Sequence, residues 1–205
     1  MQITIRQASP AQADAIARLI MEAMNHDCCR YFAGPQHTLD DFHRLMTRLV
    51  ERPDSQYSYQ NTLVAMAGDT LAGICVSYDG GLLHTLRRAF IDGARAAFGI
   101  DHGGMDDETQ PGELYVDSLA VAERFRGQGI AALLLRATTV KARQLGLPAT
   151  GLLVDKGNPR AERLYTRLGF RFVNDTIWGS HPMKHLQLKT VSTYPNDTSG
   201  NSKCP

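Results

Sequence analysis

Hydrophobic and polar positions alternate from the first residues of the chain. Ile3, Ile5 and Gln7 interleave with Thr4, Arg6 and Ala8, the period-two pattern of a half-buried strand. Ser9-Pro10 then reads as an N-cap followed by proline at the first helical position. Ala15, Ile16, Leu19, Ile20 and Ala23 recur at helical spacing. Thr38 caps a second predicted helix with an acid, Asp41, three residues on; Phe42, Leu45, Met46 and Leu49 form its apolar face, and Arg52-Pro53-Asp54 stops it. Residues 62–67 and 71–78 read as a hairpin turning through Gly68-Asp69.

From 82 to 98 the period is helical again, with Leu83, Leu86, Phe90, Ala94 and Ala97 on one side. The polar, acidic and glycine-rich stretch 99–112 predicts an exposed loop. A strand over 113–121 follows, then a helix over 129–145 closed by Gly146. Next come a strand over 149–154, a helix over 159–168 ended by Gly169, and strands over 170–178 and 183–188. The tail 190–205 is rich in Ser, Thr, Asn, Gly and Pro and predicts disorder. This order describes an α/β domain around a mixed sheet, without internal repeat or linker.

Composition narrows the picture only slightly. The 205 residues are 43% hydrophobic and 21% charged, with a net charge of +1, which suits one soluble domain. Near-neutrality offers no basic face for nucleic acid. No run approaches the roughly 18 apolar residues of a membrane span, and the N-terminus lacks the apolar core of a signal peptide, so the cytoplasm is the compartment expected. Cys28, Cys29, Cys75 and Cys204 form no C-x-x-C pair and read as reduced thiols; Cys75, within an apolar strand, reads as core. The histidines show no metal-ligand spacing, so no metal is expected.

The sharpest chemistry sits between the 113–121 strand and the 129–145 helix, in Arg126-Gly127-Gln128-Gly129-Ile130-Ala131. Glycines let backbone approach an anion, and the following helix begins with unpaired N–H groups and a partial positive charge. Together these make a phosphate-type cradle, to which Arg124 and Arg126 add charge. The turn is not a P-loop, because no Gly-Lys-Ser/Thr follows, nor a dinucleotide fingerprint, because position 132 is Ala132. Taken alone it is equally a tight strand-to-helix connection. Some thirty residues on stands Asn158-Pro159-Arg160-Ala161-Glu162-Arg163-Leu164-Tyr165-Thr166-Arg167-Leu168-Gly169-Phe170.

With both segments in view, the chain resembles the GNAT superfamily of acyl-coenzyme A-dependent N-acetyltransferases. Arg126, Gly129 and Ala131 match its Arg/Gln-x-x-Gly-x-Gly/Ala signature; Asn158, Ala161, Leu164, Tyr165, Gly169 and Phe170 match its later Asn-x-x-Ala-x-x-Leu-Tyr-x-x-x-Gly-Phe signature. The resemblance covers nearly all of residues 1–189. It implies a mixed, mostly antiparallel sheet of about seven strands, flanking helices and a splayed central strand pair. It also implies that Leu119, Ala120 and Val121 border the pantetheine arm and that residues 124–131 wrap the pyrophosphate of acetyl-coenzyme A. Asn158 would touch the cofactor arm, although a helix cap is an equal reading. Tyr165 falls on the family's general-acid tyrosine; a core tyrosine is the alternative.

A base is also wanted. Glu113, Tyr115 and Asp117 alternate onto one strand face. Asp117 is the first candidate for base or water relay and Glu113 the second; either could instead bind the substrate ammonium or an arginine. His181 and His185, on the last hairpin, read first as structural, and Trp178 as pocket lining or strand-end packing. Segment 82–110 is longer than the family's connection between these strands. It reads as an insertion that covers the acceptor site, makes a homodimer contact, or does neither. The implied reaction is direct acetyl transfer to a primary amine of a small molecule or peptide. A non-catalytic acyl-coenzyme A sensor is the alternative, and a nucleotide-binding protein a more remote one.

Overall fold

A computed structural model describes residues 2–190 of the chain. The expected disordered tail, with Cys204, lies outside the described residues apart from Thr190. Thirteen helices and strands occur in the order β1 (Ile3–Gln7), α1 (Ala13–Met24), α2 (His26–Ala33), α3 (Leu39–Glu51), β2 (Thr62–Ala67), β3 (Thr70–Asp79), α4 (Leu83–Phe98), β4 (Leu114–Val121), α5 (Ile130–Gln144), β5 (Ala149–Asp155), α6 (Pro159–Arg167), β6 (Arg171–Trp178) and β7 (His181–Lys189). The strands form one seven-stranded sheet, β1-β2-β3-β4-β5-β7-β6. Every neighbouring pair is antiparallel except β4 with β5. This is the mixed, mostly antiparallel sheet with flanking helices that the sequence implies.

Two cores cover the two faces. On one, Ile16 and Ile20 of α1, Phe32 of α2, Phe42 and Leu45 of α3 and Phe90 of α4 pack on Val64, Ile74, Val76 and Ala120. On the other, Ile130, Leu134 and Leu135 of α5 pack with Ala72, Cys75, Val116, Leu152 and Leu186, joined by Leu164 and Tyr165 of α6. Alternating strand residues supply both cores, because successive side chains point to opposite faces. Leu119 and Val121 lie toward the α5 core, while Ala120 between them faces the other.

The structure departs from the sequence reading in three places. Between Ser9 and α1 runs a short 3-10 turn, Pro10–Gln12, so regular helix begins at Ala13 rather than at the proline. Helix α2 is not foreseen: it is only eight residues long, begins after a positive-φ Asn25, and buries just Cys29, Phe32 and Ala33. The 99–112 loop is polar but not uniformly exposed. His102 and Glu108 are buried, His102 with Nε2 3.0 Å from the Phe32 carbonyl.

Glu113, immediately before β4, fastens three strands. Its fully buried carboxylate accepts from Thr109 Oγ1 at 2.7 Å, His185 Nε2 at 2.8 Å and Gln187 Nε2 at 2.8 Å. Gly151 of β5 makes room for it, since a Cβ there would overlap the carboxylate. Burial pushes the Glu113 pKa up, but the hydrogen bonds from His185, Thr109 and Gln187 outweigh it and hold it below the ordinary value of 4.5.

Removing this carboxylate strands two buried donors on β7. Glu113→Ala is therefore expected to cost about 2–4 kcal/mol at pH 7, read by urea denaturation. A lowered carboxylate contributes stability that is present above its ordinary pKa and lost as pH falls through the folded value. The difference between wild type and E113A should accordingly narrow below about pH 4.

Candidate active site

The site begins with a register fault. Val76 of β3 lies opposite Ser118 of β4, but the next β3 residue, Ser77, lies opposite Val116. Asp117 is thus the extra residue of a β-bulge, unpaired and locally turned. On its other side β4 pairs with β5 only at Leu114–Thr150, Tyr115–Gly151 and Val116–Leu152. Beyond Val116 the two parallel strands separate, and the bulge stands where they part.

The open edge of β4 carries Leu119 and Val121. Ala122 N donates to the Ala72 carbonyl of β3, and alternation along an antiparallel ladder turns the backbone groups of Ala120 to β3 as well. Leu119 and Val121 therefore present theirs to the gap. The Val121 carbonyl is taken by Arg126 Nε at 2.9 Å. Ala120 borders the gap only through its neighbours.

The gap leads to the 126–131 turn. Gly127 and Gly129 both have φ +77, a conformation that favours glycine, and a Cβ at either would meet nothing within 4 Å. Among the described residues, no protein acceptor receives the N–H groups of residues 127–131. These donors, at the start of the fifteen-residue helix α5, make an open anion cradle. The two arginines differ. Arg126 bends back to Val121 and to Glu22 of α1, at 3.0 Å. Arg124 is exposed over the Phe125 ring, its guanidinium carbon 4.9 Å from the centroid, and among the described residues it has no acidic partner.

Across the gap stands α6. Asn158 caps it, Oδ1 accepting from Ala161 N at 3.1 Å with Pro159 behind it, so the capping reading holds; the side-chain amide N–H groups meet no acceptor among the described residues. The Tyr165 ring tilts against Phe170, 5.9 Å between centroids. Its hydroxyl makes no hydrogen bond with any described residue. Burial, with a smaller contribution from Cys75, pushes its pKa up to about 12, so the phenol keeps its proton at neutral pH. Cys75 is the β3 residue opposite Leu119, which sets Tyr165 beside the gap.

Behind Asp117, on the face of α1 to α4, is a polar recess. Asp117 Oδ1 accepts from Ser118 Oγ at 2.8 Å and Oδ2 from Gln56 Nε2 at 3.2 Å. The Gln56 amide also reaches Glu108 Oε1, at 3.5 Å. Burial first, and Glu108 second, raise the Asp117 pKa from 3.8 to about 7, against the hydrogen bonds of Ser118 and Gln56 and the charge of Arg87. Tyr57, Tyr78 and Tyr115 are buried around it. Trp178 is drawn in as well: its Nε1 donates to Glu108 Oε2 at 3.0 Å.

The structure thus brings Asp117, Leu119, Val121, the 126–131 turn and Tyr165 around one gap. Glu113 is set apart in the β7 network, with His185 beside it, while His181 is exposed at the hairpin tip. Gln56 and Tyr57 are recess residues that sequence reasoning missed, and Glu108 is one that it read only as part of an exposed acidic loop. Gln56 and Tyr57 sit in a connecting segment, and Glu108 in a loop whose composition reads as solvated. Among the described residues no cluster of three or more His, Cys, Asp or Glu is placed to hold a metal ion, and no helix is long and apolar enough to cross a membrane.

Known proteins share this architecture. A crystal structure of an acetyltransferase superposes with a TM-score of 0.77 at 29% identity, over 92% of this chain and 100% of that one. An N-acetyltransferase from Staphylococcus aureus Mu50 superposes with a TM-score of 0.74 at 21% identity, over 90% of this chain and 100% of the other. An acetyltransferase of Agrobacterium fabrum is 46% identical over 68 residues, which is 33% of this chain and 48% of that protein's length. The Acetyltransferase (GNAT) family matches residues 21–170. With that match across most of the chain, and with the bulge, gap and glycine turn in one place, the protein belongs to the GNAT acetyltransferase family.

Proposed function

We propose that this chain transfers an acetyl group from acetyl-coenzyme A to a primary amine of a small molecule or peptide, by direct attack with both substrates bound. The observation that carries the reading is the position of Asp117. It is a carboxylate with a pKa raised to about 7, standing where β4 and β5 part, between the glycine turn and the polar recess.

Each part then has a task. The free N–H groups of residues 127–131 hold the pyrophosphate, and Arg124 adds charge. Leu119 and Val121 offer backbone groups to the amides of the pantetheine arm. An amine must shed a proton before it can attack, and a carboxylate with a pKa near the working pH is matched to accept it. Asp117 is that group in our reading; Glu113, whose carboxylate is consumed by three donors and whose pKa is lowered, is left to structure. Backbone N–H on the open edge of β4 opposes the negative charge that develops on the acetyl oxygen. Tyr165, which keeps its proton at neutral pH, supplies it to the departing sulfur. Nothing in the recess is an activated nucleophile. Burial and Asp117 push the Cys28 thiol up to about 11, which disfavours the thiolate that a covalent route needs.

Coenzyme A release measured over a panel of small-molecule and peptide amines tests the reading directly. Turnover on at least one amine is expected; tight acetyl-coenzyme A binding without turnover on any would replace it with a sensor. Tyr165→Phe should lower kcat about 10- to 100-fold with little change in cofactor affinity. A wild-type kcat in that variant removes Tyr165 from the acid role. Gly129→Val forces a side chain into a left-handed conformation and should weaken coenzyme A binding at least about tenfold by calorimetry.

Asp117→Asn should abolish most turnover at every pH. It has an opposite effect on stability. Because the folded pKa, about 7, lies above the ordinary 3.8, the folded state holds a proton that the unfolded chain releases, and stability falls as pH rises through 7. Asn cannot ionise, so D117N should be more stable than wild type at pH 8–9, by on the order of 2–4 kcal/mol. That advantage should vanish below about pH 4, as chemical denaturation at the two pH values would reveal.

A further inference from the structure

We propose that Glu108, carried by the segment between α4 and β4, is a positioning residue for this reaction: its carboxylate, bridged to Asp117 by the Gln56 amide, governs when Asp117 can accept a proton. The inference rests on the reading of Asp117 as the base.

Glu108 is buried and held from four directions. Arg87 Nη2 of α4 donates to Oε2 at 2.5 Å, Trp178 Nε1 at the end of β6 to Oε2 at 3.0 Å, Tyr78 Oη of β3 to Oε1 at 2.8 Å, and Gln56 Nε2 to Oε1 at 3.5 Å. The same Gln56 nitrogen donates to Asp117 at 3.2 Å, so one amide spans both carboxylates. The tryptophan and tyrosine donors do not need a charged acceptor; a glutamine oxygen would serve them. What a carboxylate adds is its pairing with Arg87 and its field at Asp117.

That field is poorly offset. Arg87 is the cation facing the pair, and it is shared: it also donates to Asp107 Oδ1 at 3.2 Å and to the carbonyls of Met105 and Asp106. One guanidinium against Asp107 and Glu108 leaves the cluster net negative before Asp117 is counted, with His84 outside beside Asp107 at 3.2 Å. The other titratable groups that interact with Asp117 are Cys28 of α2, Tyr57 of the 52–58 connection, Cys75 and Tyr78 of β3, and Tyr115 of β4 itself. Burial, first among the causes, pushes Cys28 and Cys75 up to about 11 and the three phenols well above their ordinary value. All five are neutral at pH 7, so the charges that decide the protonation of Asp117 are Glu108 and Arg87. Glu108 is also tied to the β6–β7 hairpin through Trp178, while Gly179 N donates to Asp106 at 3.0 Å. The 99–112 segment is thereby fastened to the hairpin at two of its acids.

The test is a carbon-13 carboxyl titration of the full chain, wild type against Glu108→Gln, with D117N used to assign the Asp117 signal. Wild-type Asp117 is expected to titrate near pH 7, and in E108Q about one to two pH units lower, the size expected for removing one nearby unit charge. Arg87→Met, which removes the offsetting cation, should move the titration upward. An Asp117 titration that is unmoved in whichever of the two variants folds overturns the proposal, as does a wild-type Asp117 titrating near 4. The pH dependence of kcat separates this from the underlying reading. If D117N is inactive but E108Q keeps the wild-type acid limb, Asp117 stands as base and Glu108 does not govern it. If D117N keeps the wild-type limb and rate, the assignment of the base fails, and the role of Glu108 with it.

Discussion

The parallel ladder between β4 and β5 stops after three residue pairs, and the site depends on that stop. Two strands that paired along their whole length would consume the backbone groups of Leu119 and Val121 and close the sheet. Here the β3–β4 bulge at Asp117 disturbs β4 where the pairing ends, and β5 continues with β7 instead, through seven residue pairs from Ala149–Lys189 to Asp155–Met183. The unpaired edge of β4 is tolerable because it faces a cleft, where a ligand or water can satisfy it. Glu113 holds the closed end: its carboxylate, beneath Gly151, ties β4 to β7 across β5, so the sheet stays joined on one side of the bulge while it opens on the other.

Two carboxylates four residues apart, one just before β4 and one within it, thus meet opposite fates, and the environment decides which. Glu113 is fully buried, yet its pKa falls, because three donors converge on the charged form. Asp117 has Ser118 and the Gln56 amide nitrogen, which also reaches Glu108, so desolvation and like charge prevail and its pKa rises. Groups whose environments push their pKa values apart divide into structural and chemical roles. In this chain the division runs along β4 within five residues.

The glycine turn and α6 add the two remaining requirements. The turn offers N–H groups that no described residue accepts, and α6 brings a phenol beside the gap that has no partner among the described residues. Neither works alone. A helix start with free donors binds any small anion; it is the gap leading away from it, lined by Leu119 and Val121, that gives the cradle a direction. The recess beyond Asp117 is shaped by segments remote in sequence: the 52–58 connection, β3, the loop after α4 and the end of β6.

The order of elements was legible in the sequence, because periods of two and 3.6 residues, caps at Ser9, Thr38 and Asn158, and stops at Gly146 and Gly169 are local properties. So were the turn at 126–131 and the alternation that carries Asp117, since each depends on residues close together in the chain. Helix α2 escaped because its buried positions are few and it starts from a strained Asn25. The burial of Glu108 escaped for a different reason: a loop of aspartates, glycines and a glutamate looks solvated until Arg87, Tyr78 and Trp178 are folded around one of its carboxylates. The sequence by itself determined the elements, the cofactor-type turn and the supply of acids. Only the tertiary structure decided which acid is locked by donors and which is left with a raised proton affinity, because that depends on burial and on charges brought together from distant parts of the chain.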